Sequence, residues 1–297
     1  MAHPFIKWAG GKTRLIGEIE KVIGNKLDGK KTYIEPFVGS GAVFLSMIEK
    51  HDFERIIIND LNSSLIGAYV HIQKYPEALK TELRSLEKRY SDSKDKTKFY
   101  YSTREKFNKN CEENKDAVER SAQFIFLNKT GYNGMYRVNS KGLFNIPVGK
   151  NNSKKLINYE NIDKVSSLLE DVIIENMSYE GVLEKYSGII DESCFIYMDP
   201  PYSTSTGKNF TSYNKQVFGW EDQKKLEQTI GKLDGTGVFV LISNVDEVDV
   251  GKLYENEKYE KKPFSRKCTI GGTKDSRKEY GELLISTNFK KDDKCKD

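Results

Sequence analysis

The spacing of apolar and polar positions changes along the chain, and each change marks a different element. Thr32–Phe37 is β-branched and aromatic and runs into Gly39-Ser40-Gly41; Ala42–Glu49 then carries apolar residues at helical spacing. Arg55–Asp60 (RIIIND) is a short apolar run ending in an acid. Together these predict a strand, a glycine turn, a helix and a second strand, one βαβ unit. Residues 63–130 switch to helical periodicity and predict four helices: Leu65–Tyr75, Pro76–Tyr90, Lys98–Asn108 and Ala117–Lys129, with Ser91–Lys98 as a polar connector. Residues 131–150 (GYNGMYRVNSKGLFNIPVGK) alternate apolar and polar around Asn139-Ser140-Lys141-Gly142, which predicts a β-hairpin.

Strand-and-helix alternation then resumes. Asp171–Glu175, Ser193–Met198 and Val238–Ser243 are continuous apolar runs, the pattern of parallel strands buried on both faces. Glu282–Thr287 reads as an edge strand. The expected fold is therefore α/β, a doubly wound, mostly parallel sheet interrupted by a helical plus β-hairpin insert. Residues 1–62 and 153–297 would form one domain and 63–152 the other. Ser203–Trp220, rich in Ser, Thr, Gly and Asn, is expected to be a mobile loop, and Lys290–Asp297 a disordered charged end.

Charge sharpens this division. Residues 63–152 hold 17 Lys/Arg against 10 Asp/Glu, net +7, while the remainder of the chain is net −3. A basic insert on a near-neutral body points to an anionic polymer, although a solvated helical surface accounts for the same charge equally well. There is no run of about 18 apolar residues, so no membrane span is expected. The first 15 residues carry Lys7, Lys12 and Arg14 and have no signal-peptide core. Cys111, Cys194, Cys268 and Cys295 form no CxxC pair and read as reduced thiols of a cytoplasmic protein. His3, His51 and His71 have no partner at metal spacing, which argues against a histidine metal site or a His-based hydrolase.

Three motifs carry chemistry. Glu35-Pro36-Phe37-Val38-Gly39-Ser40-Gly41 ends the first predicted strand; glycines there let the backbone approach a nucleoside, or simply make a tight turn. Asp60 ends the next strand, 21 residues after Gly39, where an acid can accept from both ribose hydroxyls or cap a helix. Asp199-Pro200-Pro201-Tyr202 is the most specific signal. Two prolines after an apolar strand force the chain out of the ladder at its C-terminal edge, where open α/β sheets bind ligands. Asp199 offers an acceptor and Tyr202 a π face, which suit an amino group on a planar base. Lys7-Trp8-Ala9-Gly10-Gly11-Lys12-Thr13 ends like a P-loop, but Ile6 stands where that motif needs its first glycine.

Taken together, KWAGGK at 7–12, EPFVGSG at 35–41, Asp60, GYNGMYRVN at 131–139, GLFNIPVG at 142–149 and DPPY at 199–202 resemble the Dam-type, α-group DNA adenine-N6 methyltransferases. The resemblance runs from Pro4 to about Asn288 with the motifs in the family's order. It implies a class I methyltransferase-like fold, S-adenosyl-L-methionine as cofactor and double-stranded DNA as partner. It also implies transfer to adenine N6, in GATC, on a flipped base. It carries Trp8, Lys12, Phe37, Gly39, Asp60 and Asp199 onto cofactor-binding positions, and Asp199, Pro200, Pro201 and Tyr202 onto the catalytic motif. Lys7, Tyr132, Asn133, Arg137 and Asn139 fall on DNA-binding positions. Met135 replaces a leucine common there, and Val148 stands where Phe is frequent. No metal is implied, and a restriction endonuclease acting on the same site is a partner that the resemblance allows.

The chemistry agrees with these roles. An adenine amino nitrogen is a poor nucleophile because its lone pair is delocalised into the ring, and acceptors at Asp199 and the Pro200 carbonyl would localise it. Tyr132 or Tyr136 can serve as a wedge in the opened duplex, or pack the hairpin. Arg137 is a bidentate donor for a guanine edge, or a phosphate ligand. Two rival readings share the fold: an RNA adenine or small-molecule methyltransferase, and a catalytically inactive DNA-binding protein. The basic flank of the hairpin (Lys141, Lys150, Lys154, Lys155) favours duplex DNA over the first, and the acids Asp60 and Asp199 argue against the second.

Overall fold

In the computed structural model, which describes residues 1–113, 117–150, 156–205, 218–267 and 279–290, the described strands form one seven-stranded sheet. They are β1 (Thr32–Glu35), β2 (Arg55–Asn59), β3 (Ile173–Glu175), β4 (Cys194–Met198), β5 (Phe239–Val245), β6 (Tyr259–Lys267) and β7 (Glu279–Thr287), in the order β3-β2-β1-β4-β5-β7-β6. β1 to β5 run parallel, and β7 is antiparallel to both β5 and β6.

The apolar runs of β4 and β5 are buried along their whole length because the sheet is covered on both faces. Alternate residues serve different cores. Tyr33, Ile58, Phe195, Tyr197 and Leu241 join one cluster with α1 (Ile16–Ile23), α2 (Ala42–Lys50) and the inserted helices; Ile34, Ile57, Ile196, Val240 and Ile242 join the other. The inserted helices are α3 (Ser63–Lys74), α4 (Pro76–Asp92), α5 (Lys96–Glu112) and α6 (Val118–Thr130), followed in sequence by α7 (Tyr159–Leu168). The second cluster takes α8 (Tyr179–Lys185), α9 (Trp220–Gly231) and α10 (Val248–Leu253).

Several expectations need correction. Residues 282–287 are not an edge strand: β7 is bonded on both sides, and its Leu283, Leu284 and Ile285 are buried. The edge is β6, a charged run interrupted by Pro263 that carries no apolar stretch. Such a strand is poorly suited to pairing with another sheet. β3 is the outer strand at the opposite end, and with a neighbour on one side only it leaves Ile173 37% exposed. The connector between α4 and α5 shrinks to residues 93–95, because the Asp95 side chain accepts from Lys98 N and starts α5 early.

The expected hairpin is present only as an irregular pairing, with isolated bridges Gly131↔Val148 and Val138↔Phe144 around a turn held by Gly142 N donating to Asn139 O at 2.8 Å. A 3-10 turn, Tyr132–Gly134, interrupts the first arm. Side chains of α5 satisfy the backbone where a ladder does not: Tyr100 Oη and Arg104 Nη1 donate to Ile146 O at 3.0 and 3.2 Å, and Asn108 bonds both N and O of Phe144. Most of the expected 203–220 loop, Lys154, Lys155, Cys268, Cys295 and most of the C-terminal end lie outside the described residues; Cys111 and Cys194 are free thiols.

Candidate active site

The three motifs meet at the C-terminal edge of the parallel strands. β1 ends at Glu35, Asp60 follows β2, and Asp199 follows β4. Because β4 lies on the other side of β1 from β2, the connections diverge here and leave a crevice at the switch point.

The glycine turn is shaped by its neighbours. Gly39 has φ +49°, and a Cβ there would lie 3.0 Å from Trp8 Cδ1, so the indole sits directly against the turn. Gly39 N donates to Asp60 Oδ2 at 3.1 Å, Asn62 N donates to Asp60 Oδ1 at 2.9 Å, and Tyr69 Oη donates to Gly39 O at 3.1 Å. Helix α3 is capped by Asn62, whose side chain accepts from Leu65 N at 3.0 Å, so Asp60 is not a helix cap. Burial raises the Asp60 carboxyl from 3.8 to about 6, against the downward pull of the backbone N–H groups of Asn62, Gly39 and Leu61. Beneath it Glu35 is buried and accepts from Tyr33 Oη; burial holds its carboxyl well above the usual range, and Asp199 and Asp60 add to the effect. Phe37 packs edge-on against Phe218 and tilted against Tyr179.

Lys12 organises the second half of the site. Its side chain is almost fully buried; Nζ donates to Asp199 Oδ1 at 2.7 Å and to Gly10 O at 2.8 Å, and lies 4.9 Å from the centre of the Tyr202 ring. The buried Glu282 of β7 completes the cluster: Tyr202 Oη donates to its Oε2 at 2.6 Å, and Lys12 Nζ is 3.9 Å away. Two buried amides hold the proline turn, as Gln223 Nε2 donates to Pro201 O at 3.2 Å and Gln223 Oε1 accepts from Asn244 Nδ2 at 2.9 Å. The Pro201 carbonyl is thereby committed to the protein. Glu282, Gln223 and Asn244 were not singled out in the sequence, because they sit inside apolar or amphipathic runs and belong to no motif.

The expected DNA-contacting residues cluster on the 131–150 segment and the N-terminal loop. Lys7, Tyr132, Asn133, Arg137 and Asn139 are exposed, Tyr132 at 45%. Asn133 holds φ +55°. Arg137 Nε donates to Asn145 Oδ1 at 2.9 Å, and the residue is exposed. Asn139 Oδ1 accepts from Lys141 N and Leu143 N, both at 3.0 Å, and builds the turn. Tyr136 behaves differently. It is buried, stacked on Trp8 at 5.3 Å and packed against Phe124 and Phe144, so of the two candidate wedges only Tyr132 reaches solvent. Asn128 ties the loops together: it accepts from Lys7 N at 2.9 Å and donates to Lys7 O and Gly134 O at 2.8 and 2.9 Å. Lys129, half-buried beside Lys7, has its ammonium pulled down to about 8 by burial and by that neighbouring charge.

A sheet of order β3-β2-β1-β4-β5-β7-β6, with its site at the C-terminal edge of the parallel strands, is the framework of a class I methyltransferase. Residues 8–266 match the D12 class N6 adenine-specific DNA methyltransferase family, and the chain belongs to that family. It is similar to the Type II methyltransferase M.MjaIII of Methanocaldococcus jannaschii, 41% identical over 288 residues that cover 95% of this chain and 98% of the relative. The Type II methyltransferase M1.LlaDCHI of Lactococcus lactis subsp. cremoris is 33% identical over 97% of this chain and 95% of its own. The DNA adenine methylase of Escherichia coli (strain K12) is 31% identical over 94% of this chain and 93% of its own. The protein is thus a site-specific DNA methyltransferase that acts on adenine and uses a methyl donor. No described helix is long and apolar enough to cross a membrane.

Proposed function

We propose that the enzyme transfers the methyl group of S-adenosylmethionine to N6 of an adenine flipped out of duplex DNA, within GATC. The observation that carries this reading is the cluster after β4: the Asp199 carboxylate is held by Lys12 beside the Tyr202 ring, at the edge that also carries Gly39 and Asp60.

The crevice fits that donor. The close approach of Trp8 to Gly39 leaves a flat wall beside the turn, and Asp60 is a carboxylate whose contacts in the turn are backbone N–H groups, suited to accept from ribose hydroxyls. Trp8, Phe37 and Gly39 would border the adenosine, and Lys12 and Asp199 its amino-acid end. When bound, the cofactor supplies an electrophilic methyl group on a sulfonium. Asp199 and the Pro200 carbonyl accept from the target amino group, draw its lone pair out of the ring and orient it; Pro201 and Gln223 hold the turn that aims them. Tyr202 provides the wall for the base, and the Lys12 ammonium balances the Asp199 charge.

Residues 63–152 would form the target-recognition domain, and 1–62 with 153–297 the catalytic domain. Lys7, Asn133 and Asn139 would contact DNA, Tyr132 would fill the gap left by the flipped base, and Arg137 would read a guanine. The resemblance of residues 131–149 supports GATC. We further propose a cytoplasmic enzyme, for which a restriction endonuclease acting on the same site is a partner that the resemblance allows. The test is methylation-sensitive sequencing of plasmid DNA from cells expressing the enzyme or Asp199→Ala. The expected result is modified adenine in every GATC with the wild type and none with the variant. Modification in another motif overturns the GATC assignment; a near-normal single-turnover rate for Asp199→Ala overturns the catalytic one.

A further inference from the structure

Glu282 is a carboxylate in an unusual place. It follows Gly281 and precedes Leu283-Leu284-Ile285 on β7, opposite Val245 of β5, and it is only 3% exposed. Removing a carboxylate from water is costly unless charged or hydrogen-bonding groups compensate it. The groups that do so here include two residues of the catalytic cluster: the Tyr202 hydroxyl, donating to Oε2 at 2.6 Å, and the Lys12 ammonium at 3.9 Å. Stability alone gives no reason for this choice, since an apolar residue of similar size in a buried strand is often at least as stable. What the carboxylate does is fix a ring.

We propose that Glu282 is a positioning residue for methyl transfer, holding the Tyr202 ring, through its hydroxyl, in the orientation that receives the target adenine. Tyr202 is then restrained from three sides. Its backbone follows Pro201, whose carbonyl is bonded to Gln223; its ring lies under Lys12; its hydroxyl is tied to β7, a strand paired on both sides. A tyrosine held at both ends presents a rigid wall, and rigidity at the reacting centre is what keeps an amino group in line with a methyl donor. The inference rests on the placement of adenine against Tyr202 proposed above.

The experiment compares single-turnover methylation of a duplex substrate by Glu282→Ala, Glu282→Gln, Tyr202→Phe and the Tyr202→Phe/Glu282→Ala double variant, with Asp199→Ala alongside. Glu282→Ala should lose about 10- to 100-fold in rate, with cofactor affinity and KM for DNA within about threefold of wild type. Glu282→Gln, which keeps an acceptor oxygen, should recover most of the loss. In the Tyr202→Phe background, Glu282→Ala should cost no more than about twofold, because the hydroxyl it acts through is already gone. A folded Glu282→Ala enzyme at the wild-type rate, a glutamine variant as slow as the alanine one, or losses that multiply in the double variant would each overturn the inference. Should Glu282→Ala fail to fold, the comparison of Glu282→Gln with Tyr202→Phe still decides: a slow glutamine variant overturns the inference, and a near-wild-type rate beside a slow Tyr202→Phe upholds it. The two readings separate through Asp199→Ala, since an active Asp199→Ala enzyme refutes the site itself, whereas an inactive one beside a wild-type Glu282→Ala enzyme refutes only the role of Glu282.

Discussion

The indole of Trp8 lies nearly flat on the ring of Tyr136, with centroids 5.3 Å apart and planes 26° apart. This contact joins the N-terminal loop beside the glycine turn to the 131–150 segment proposed to face DNA, and Phe124 of α6 packs against both rings. It also separates the two tyrosines of that segment into a structural one and a free one.

Tyr136→Ala should therefore lower stability by about 3–5 kcal/mol, the usual range for deleting a large buried ring. Tyr132→Ala should change stability by no more than about 0.5 kcal/mol, because its ring is exposed. Its effect should fall on catalysis, and more on a fully paired duplex than on one with a mismatch at the target adenine, where extrusion costs less. Urea unfolding and methylation rates on the two substrates check this. Equal slowing on both would remove the wedge role from Tyr132.

Asp60 predicts a pH dependence. Its carboxyl titrates at about 6 in the folded protein against 3.8 as the ordinary value. Below pH 3.8 both folded and unfolded states hold the proton and Asp60 costs nothing. As pH rises towards 6 the unfolded chain releases its proton first, so the ligand-free enzyme loses stability, on the order of 3 kcal/mol by neutral pH at about 1.4 kcal/mol per pH unit. Asp60→Asn should thus stabilise the ligand-free protein at pH 8 and have little effect at pH 4, as read from unfolding midpoints.

The same residue should make cofactor binding pH-dependent in the opposite sense. Ribose hydroxyls are received best by an ionised carboxylate, so affinity for S-adenosylmethionine should decline as pH falls through about 6. Calorimetric titration between pH 5 and 8 measures it. An affinity that is flat over that range, or unchanged by Asp60→Ala, would exclude Asp60 from the cofactor site.

Arg137 is exposed, with Nε bonded to Asn145. If its terminal nitrogens read a guanine, Arg137→Ala should cost about 1–3 kcal/mol on the correct site and relax discrimination at one base pair. If they hold a phosphate, all sites should weaken alike. The measurement is kcat/KM for wild type and variant on GATC and each single-base alternative.

Binding to non-cognate duplex should weaken steeply with salt if the basic 63–152 segment replaces counterions on several phosphates, as proposed. A slope near zero in log K against log salt would mean that the +7 charge of residues 63–152 is only a solvated surface.

Much of this protein is readable from local order alone. The strands β1, β2, β4 and β5 announce themselves as short β-branched, aromatic or apolar stretches, and the Asp-Pro-Pro-Tyr turn ends its strand because proline cannot carry the ladder on, whatever lies around it. The motifs with special backbone chemistry were legible for the same reason. The remainder depended on neighbours that sequence distance hides. Residues 282–287 are paired on both sides rather than at the edge, and the strand that covers them, β6, has no apolar signature of its own. Tyr132 and Tyr136 lie in one short motif, and only the packing of Trp8, Phe124 and Phe144 decides which ring is buried. Glu282 stands 80 residues from Tyr202 and 270 from Lys12; local pattern makes it one polar position in a strand, and the close meeting of β7 with the turn after β4 makes it part of the site.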